Sequence, residues 1–322
     1  MSKSRPPSAL HTCGIRVPCS TSNLGAGFDC IGLAFDRYLD AGYEPGASDL
    51  RIRRAGTLRD LPANMADDRL AAAFLAELTR RGVGSVGGTL LATSSIPIAR
   101  GLGSSGAATV AGIALAAAAC GQVLDRDAAL AAAVRMEGHP DNAAAALFGG
   151  LVAVASAGHV PRAMRLPLSP EIAFVFGAPA TGVSTERARA ALPKHVPHSA
   201  AVRNLGRMAA LLYGLANADA ESLGIGFSDE LHVPYRLPLI AHANRALEAA
   251  LKAGAWAVTL SGSGSGIIAA CPRAAEPPVC RAVLDAFGGS ASGADAFVLR
   301  ADMNGVQPRD FGTLRDALRD AS

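Results

Sequence analysis

The segment Pro97-Ile98-Ala99-Arg100-Gly101-Leu102-Gly103-Ser104-Ser105-Gly106-Ala107-Ala108 constrains this chain more than any other. The apolar residues 86–95 before it read as a strand, and the alanine-rich residues 107–120 after it as part of a buried helix beginning near Ser104. Glycines bring backbone N–H groups up to an anion with no side chain between. A helix starting just beyond them adds unpaired N–H groups and the positive end of its dipole. Ser104 and Ser105 are expected to cap that helix, with hydroxyls in reach of phosphate or a metal. The loop is not a Walker A motif, which needs Gly-Lys-Ser/Thr. The lysines here are Lys3, Lys194 and Lys252, and none follows a glycine. On the residues alone, a glycine-serine loop that only caps a helix is the plainer alternative.

The 322 residues allow one large domain or two ordinary ones. Half are hydrophobic, enough for a sizeable core. A formal net charge of +3, an aromatic content of 5% and the lack of a basic run argue against a nucleic-acid partner. Cys13, Cys19, Cys30, Cys120, Cys271 and Cys280 form no CxxC pair and have no histidine at ligand spacing. That argues against a zinc site or a disulfide framework and for a reducing, cytoplasmic setting. Residues 1–11 lack the apolar core of a signal peptide. The most apolar run, 107–120, is shorter than the ~18 residues of a membrane span, so no membrane partner is expected.

Strands are expected over residues 14–18, 31–43, 50–54, 86–95, 151–155, 172–176, 256–260, 267–271 and 296–300. Helices are expected from Asp67 or Asp68 to Gly82, from Ser104, over 125–137, and from Pro140 to Gly149. Further helices are expected over 185–192, 199–217, 238–253 and 279–287. Mixed runs of strand and helix suggest an α+β architecture, with a boundary near residue 160.

Three further segments accompany the phosphate loop in order. They are Val17-Pro18-Cys19-Ser20-Thr21-Ser22-Asn23-Leu24-Gly25-Ala26-Gly27-Phe28-Asp29, then Glu137-Gly138-His139-Pro140-Asp141-Asn142 with Gly149-Gly150 after it, then Leu260-Ser261-Gly262-Ser263-Gly264. Together they resemble the GHMP kinases over most of the chain. Leu231-His232-Val233-Pro234-Tyr235-Arg236 and Ser184-Thr185-Glu186-Arg187-Ala188-Arg189 resemble elements of that family's homoserine kinase branch. The resemblance implies an α+β, two-domain GHMP kinase fold. An N-terminal ribosomal-protein-S5-like domain over residues 1–160 would carry the phosphate loop, a ferredoxin-like domain would span 161–322, and the active site would lie between them. It also implies ATP and Mg2+ as cofactors, L-homoserine as phosphate acceptor in threonine biosynthesis, and a homodimer.

The same resemblance distributes roles. Pro97, Arg100, Gly101, Leu102, Gly103, Ser104, Ser105, Gly106 and Ala107 would bind the ATP phosphates, with Ser261, Gly262, Ser263 and Gly264 closing against them. Ser105 and Glu137 would ligate Mg2+, a hard cation suited to one hydroxyl and one carboxylate beside phosphate. Alone, Glu137 reads equally well as a solvated helix-end carboxylate. Asn23, Asp29, His139, Asp141, Thr185, Arg189 and Arg236 would hold the substrate. The planar fork of arginine suits a carboxylate, and Arg187 competes with Arg189 for that place. Asn23 and Asp29 suit an ammonium and a hydroxyl, but beside glycine both residue types also serve as turn formers. Asn23, Asp29, Glu137, Asp141 and Asn142 make up the catalytic set. Asp141 is the obvious candidate base, yet phosphoryl transfer depends mainly on positioning and charge. Direct attack by the acceptor hydroxyl is therefore expected.

Ala26, Gly106 and Val233 stand where the family usually has proline, alanine and glutamate. Gly106 would loosen the first helical turn by up to ~1 kcal/mol relative to alanine. The alternatives are a relative acting on another small alcohol, such as mevalonate or a sugar, and a non-catalytic nucleotide-binding relative. A Rossmann oxidoreductase fails for want of GxGxxG after the first strand.

Overall fold

A computed structural model of the chain describes residues 9–61, 65, 67–158 and 160–320, so most of the 1–11 segment lies outside the described residues. The long hairpin of β1 (Cys13–Asn23) and β2 (Gly27–Asp49) is the axis of the first sheet. β3 (Arg51–Gly56) follows, then α1 (Arg69–Arg80) and β4 (Gly87–Ser94). The Asp68 carboxylate accepts from the Ala71 amide at 2.8 Å and so starts α1, as its sequence position predicts. The helix then buries Leu70, Phe74 and Leu78.

Beyond the phosphate loop run α2 (Ser104–Ala119), α3 (Arg126–Glu137) and α4 (Asp141–Phe148). Asp125 caps α3, and Gly138 ends it at a φ of +80°, a conformation that favours glycine. β5 (Leu151–Ala157) and β6 (Val160–Leu166) complete this part of the chain.

The second half holds β7 (Ile172–Ala178), α5 (Thr185–Ala190), α6 (His198–Asn217), α7 (Ala220–Phe227), the short α8 (Val233–Arg236) and α9 (Ala243–Lys252). After these come β8 (Ala257–Leu260), β9 (Ile267–Pro272), α10 (Glu276–Ala286), β10 (Asp295–Leu299), β11 (Gln307–Pro308) and α11 (Phe311–Asp320).

Two sheets result. The seven-stranded one has the order β11-β1-β2-β4-β3, with β5 paired to β2 and β6 to β5. The four-stranded one runs β10-β7-β9-β8, every pair antiparallel. Numbered within this half, that order is 4-1-3-2 with helices in both crossovers, the ferredoxin-like arrangement. One apolar cluster reaches from the first sheet into the second, and the rings of Phe35 and Phe174 meet across it at 5.3 Å. Among the described residues, no helix is long and apolar enough to cross a membrane.

Several elements form that the pattern does not announce. β6 lies beyond residue 160 yet still pairs in the first sheet, and residues 307–320 return to that sheet from the far end of the chain. β6 is a sheet edge bearing Pro161, Arg162 and Arg165, so it carries little apolar alternation. The helix expected from residue 238 begins at Ala243, because Pro238 sits in a separate 3-10 turn. The helix expected from residue 279 begins earlier, at Glu276, with two prolines in a first turn that needs no intrahelical N–H donors.

α1 packs directly on α2, the helix that carries the phosphate loop. A Cβ on Gly112 of α2 would stand 2.4 Å from the Leu70 carbonyl oxygen and 2.7 Å from the Ala73 Cβ. Replacing an exposed helical glycine by alanine gains about 1 kcal/mol; here backbone overlap reverses the sign. Gly112→Ala is expected to destabilise the fold by about 1–3 kcal/mol, read as a lower urea midpoint at unchanged slope.

Candidate active site

The phosphate loop is held on three sides. A Cβ on Gly101 (φ +86°) would lie 2.1 Å from the Ser261 carbonyl oxygen, so only glycine fits. The Ser261 hydroxyl donates to the Gly101 carbonyl at 2.6 Å and lies 2.8 Å from the Thr21 hydroxyl. The Gly266 amide donates to the Arg100 carbonyl at 3.0 Å, and the Ser20 amide to the Leu102 carbonyl at 3.2 Å. A Cβ on Gly103 would meet the Ser20 Oγ at 2.6 Å and the Asn142 Nδ2 at 2.8 Å. The segment 261–264 therefore abuts the loop, as its resemblance implies.

Neither serine caps α2. Gly103, at φ +65°, is the cap residue and makes no side-chain bond. The Ser105 hydroxyl instead donates to the Glu137 carboxylate at 2.9 Å. Thr109, one turn further along α2, donates to the same carboxylate at 2.5 Å. Arg69 approaches it to 3.8 Å from the first turn of α1. Glu137 is thus a nearly buried anion between two hydroxyls, which removes the solvated helix-end alternative. Gly106 has its own packing reason: a Cβ there would come within 3.1 Å of the Asn142 Cβ.

A cleft of about 460 Å³ opens over this loop. Its lining combines apolar Ile52, Leu58, Leu61 and Ile98 with charged Arg54, Asp68 and Arg69, and with Gly101, Gly103, Ser104, Ser105, Gly106 and Glu137. Pro97, Arg100, Leu102 and Ala107 do not line it. Leu102 and Ala107 are core residues, and Arg100 is turned away to the Ala180 carbonyl and Asp295. What this stretch offers an anion is backbone.

A second pocket of about 30 Å³ adjoins the first, and His139, Asn142, Thr185 and Ser263 line both. Ser22, Asn23, Asp29, Asp141, Arg189 and Arg236 complete its wall, so every residue expected at the acceptor is brought together, with Ser22 added. Arg187 is exposed and outside it. Arg189 forms a two-pronged ion pair with Asp29, at 2.9 and 3.1 Å. Arg236 is only 2% exposed. Its guanidinium donates over 3.3–3.4 Å to His232 and to the carbonyls of Ala188 and Gly262. No carboxylate among the described residues lies within ion-pair distance of it. Burial pushes its pKa down, but a guanidinium keeps its charge.

Asn23 and Asp29 also shape backbone. Asn23 (φ +72°) donates to the Gly262 carbonyl at 2.8 Å and accepts from the Asp29 amide at 2.9 Å. Asn142 likewise donates to Ser20 and accepts from the Ser22 hydroxyl, tying α4 to β1. Asp141 is buried and bonds the His139 ring Nδ1 at 2.8 Å. Thr109 and Arg69 are missing from the sequence reading. Thr109 was findable, standing four residues after Ser105 on one helix face. Arg69 carries no local signal, since it reaches the site from another helix.

Family models of the GHMP kinases match this chain, the N-terminal domain over residues 69–150 and the C-terminal domain over 208–290. The homoserine kinase of Moorella thermoacetica is 41% identical over 276 residues, covering 85% of this chain and 92% of its own. That of Synechococcus sp. (strain CC9605) is 35% identical over 299 residues, covering 90% and 94%. The crystal structure of homoserine kinase from Cytophaga hutchinsonii superposes with a TM-score of 0.83 at 28% identity, covering 92% of this chain and 97% of that one.

Burial pushes the His139 pKa down from its ordinary 6.5, but the bond and charge of Asp141 outweigh this and raise it. The pair's stabilisation is thus complete below that ordinary value and is lost as pH rises through the raised one. Asp141→Asn is expected to drop the His139 pKa below its wild-type value, followed by NMR titration of the ring carbon-bound protons. An unchanged titration would mean that the two groups do not pair.

Proposed function

The chain belongs to the GHMP kinases, in their homoserine kinase branch, and from that premise we propose that it transfers the γ-phosphoryl group of ATP to the side-chain hydroxyl of L-homoserine. The product is O-phospho-L-homoserine, a step toward threonine. One observation carries the choice of acceptor: a buried Arg236, with no carboxylate partner among the described residues, stands beside the Asp29–Arg189 pair, in a pocket continuous with the phosphate cleft. A buried, unpaired guanidinium is costly, and the carboxylate of an amino acid would relieve it.

In this reading the nucleotide base packs on Ile52, Leu58, Leu61 and Ile98, and its phosphates meet the N–H groups of residues 101–106 and the start of α2. Ser105, Thr109 and Glu137 offer hard oxygen donors that fit Mg2+, which when bound offsets charge on the phosphates. Asp29 releases Arg189 and takes the acceptor's ammonium, while Arg189 and Arg236 grip its carboxylate. One internal ion pair is thereby exchanged for two with a zwitterion, so net charge in the pocket is conserved. The hydroxyl is left facing the γ-phosphate. Asp141 is not needed as a base, since its bonded oxygen already serves His139 and the Asn142 amide and a loose transition state demands little proton transfer before attack.

The partner assigned here is a second copy of the chain. Val202, Leu205 and Tyr213 form an exposed apolar stripe along α6, suited to such a contact. A cytoplasmic setting accords with cysteines that are all free.

The test is ADP release with MgATP against L-homoserine, L-threonine, mevalonate, galactose and shikimate. Turnover confined to homoserine is expected; turnover on another alcohol alone would discard the acceptor. Arg236→Lys should raise KM for homoserine by about 10- to 100-fold and leave KM for ATP unchanged, because an ammonium lacks the fork.

A further inference from the structure

His232 is fully buried at the start of α8, behind the acceptor pocket, and takes no part in the chemistry described above. Apart from the Asp229 carboxylate, 3.8 Å from Nε2, the contacts of its ring are with the acceptor side of the molecule. Nε2 lies 3.1 Å from the Gly25 carbonyl oxygen, on the loop that carries Asn23 and Asp29. Nδ1 lies 3.3 Å from Nη1 of Arg236. The ring stacks on Phe28 at 4.9 Å, and the Arg236 guanidinium lies 5.0 Å over that same Phe28 ring.

A carbonyl oxygen only accepts, so Nε2 carries the proton and Nδ1 presents its lone pair to the arginine. Burial, which pushes the His232 pKa down, favours this neutral form. The carboxylate that might have neutralised Arg236 is otherwise engaged: Asp229 accepts from the amides of Leu231, His232 and Val233 at 2.7–2.9 Å.

We propose that His232 is a positioning residue, whose neutral imidazole orients the Arg236 guanidinium without cancelling its charge and so reserves that charge for the acceptor's carboxylate. An uncharged acceptor fixes the direction of the fork; an acid at the same place would form an internal ion pair and close the site to substrate. The inference rests on Arg236 as the carboxylate clamp.

Two variants separate orientation from mere packing. In His232→Asn the side-chain oxygen can stand where Nδ1 stood, keeping the bond to Arg236 and giving up Gly25. In His232→Gln the amide reaches Gly25 but leaves Arg236 without its acceptor. KM for L-homoserine, KM for ATP and kcat/KM for aminopropanol, which keeps the hydroxyl and ammonium but lacks the carboxylate, are measured in each full-length protein. For His232→Gln, KM for homoserine should rise about tenfold or more, with the other two values within about twofold of wild type. For His232→Asn, KM for homoserine should stay within about threefold of wild type. Equal losses in both variants, or an equal loss on aminopropanol, would overturn the proposal. A wild-type enzyme indifferent to the carboxylate would instead overturn the clamp beneath it. Should the glutamine variant not fold, nitrogen NMR of the wild-type ring decides: an unprotonated Nδ1 is expected, and a protonated one refutes the assignment.

Discussion

Backbone meets backbone at Gly101, with no room for a Cβ, and the rest of the site depends on that contact. The phosphate loop belongs to the first sheet's side of the molecule and the Ser261 turn to the second sheet's hairpin. Their approach brings Thr21, Ser261 and the Gly101 carbonyl into one chain of hydrogen bonds at 2.6–2.8 Å. Asn23 extends the seam by reaching the Gly262 carbonyl. The two sheets already share an apolar core, but apolar packing is non-directional. Hydrogen bonds to a glycine backbone fix register, and through it they set the phosphate cleft against the acceptor pocket.

Charge is arranged differently on the two sides of that seam. Among the described residues no lysine lines the phosphate cleft, so its affinity for anions comes from amides and a helix terminus, with Arg54 and Arg69 on the same wall. Of the carboxylates that line this cleft, Glu137 is sheltered by the hydroxyls of Ser105 and Thr109. The acceptor side is crowded with formal charge: Asp29 against Arg189, Asp141 against His139, and Arg236 against no carboxylate among the described residues. Such partly unsatisfied electrostatics is unusual in a region packed for stability and common where a ligand completes the set.

Much of this was legible because glycine and proline punctuate sequence in proportion to backbone demand. Gly101, Gly103, Gly138 and Gly149 each adopt a positive φ at an element boundary, and the motifs around them name the loops of the site. Caps at Asp68 and Asp125 were readable for the same local reason. What stayed hidden depends on distant partners. α7 contains Gly224 and Gly226, which lower helix propensity, and it forms because Gly226 lets α6 approach at Leu211. Arg69 and His232 give no sign of their orientation until other elements surround them. The serines after the glycines have the spacing of caps, but Glu137 competes for Ser105 and wins. α11 was within reach, since Phe311, Leu314 and Leu318 recur at helical spacing.

That last helix bears on how the molecule is made. β11 pairs with the outer edge of β1, and Leu314 and Leu318 cover Ala55 and Leu91 on the first sheet. β1 therefore waits for residues that leave the ribosome long after it. Until they arrive, β1 has an open hydrogen-bonding edge and the sheet has an uncovered apolar patch, both of which invite association with other chains. Folding of the first sheet is thus tied to residues 307–320, and a chain truncated after β10 would keep every residue of the active site while leaving the edge of β1 exposed.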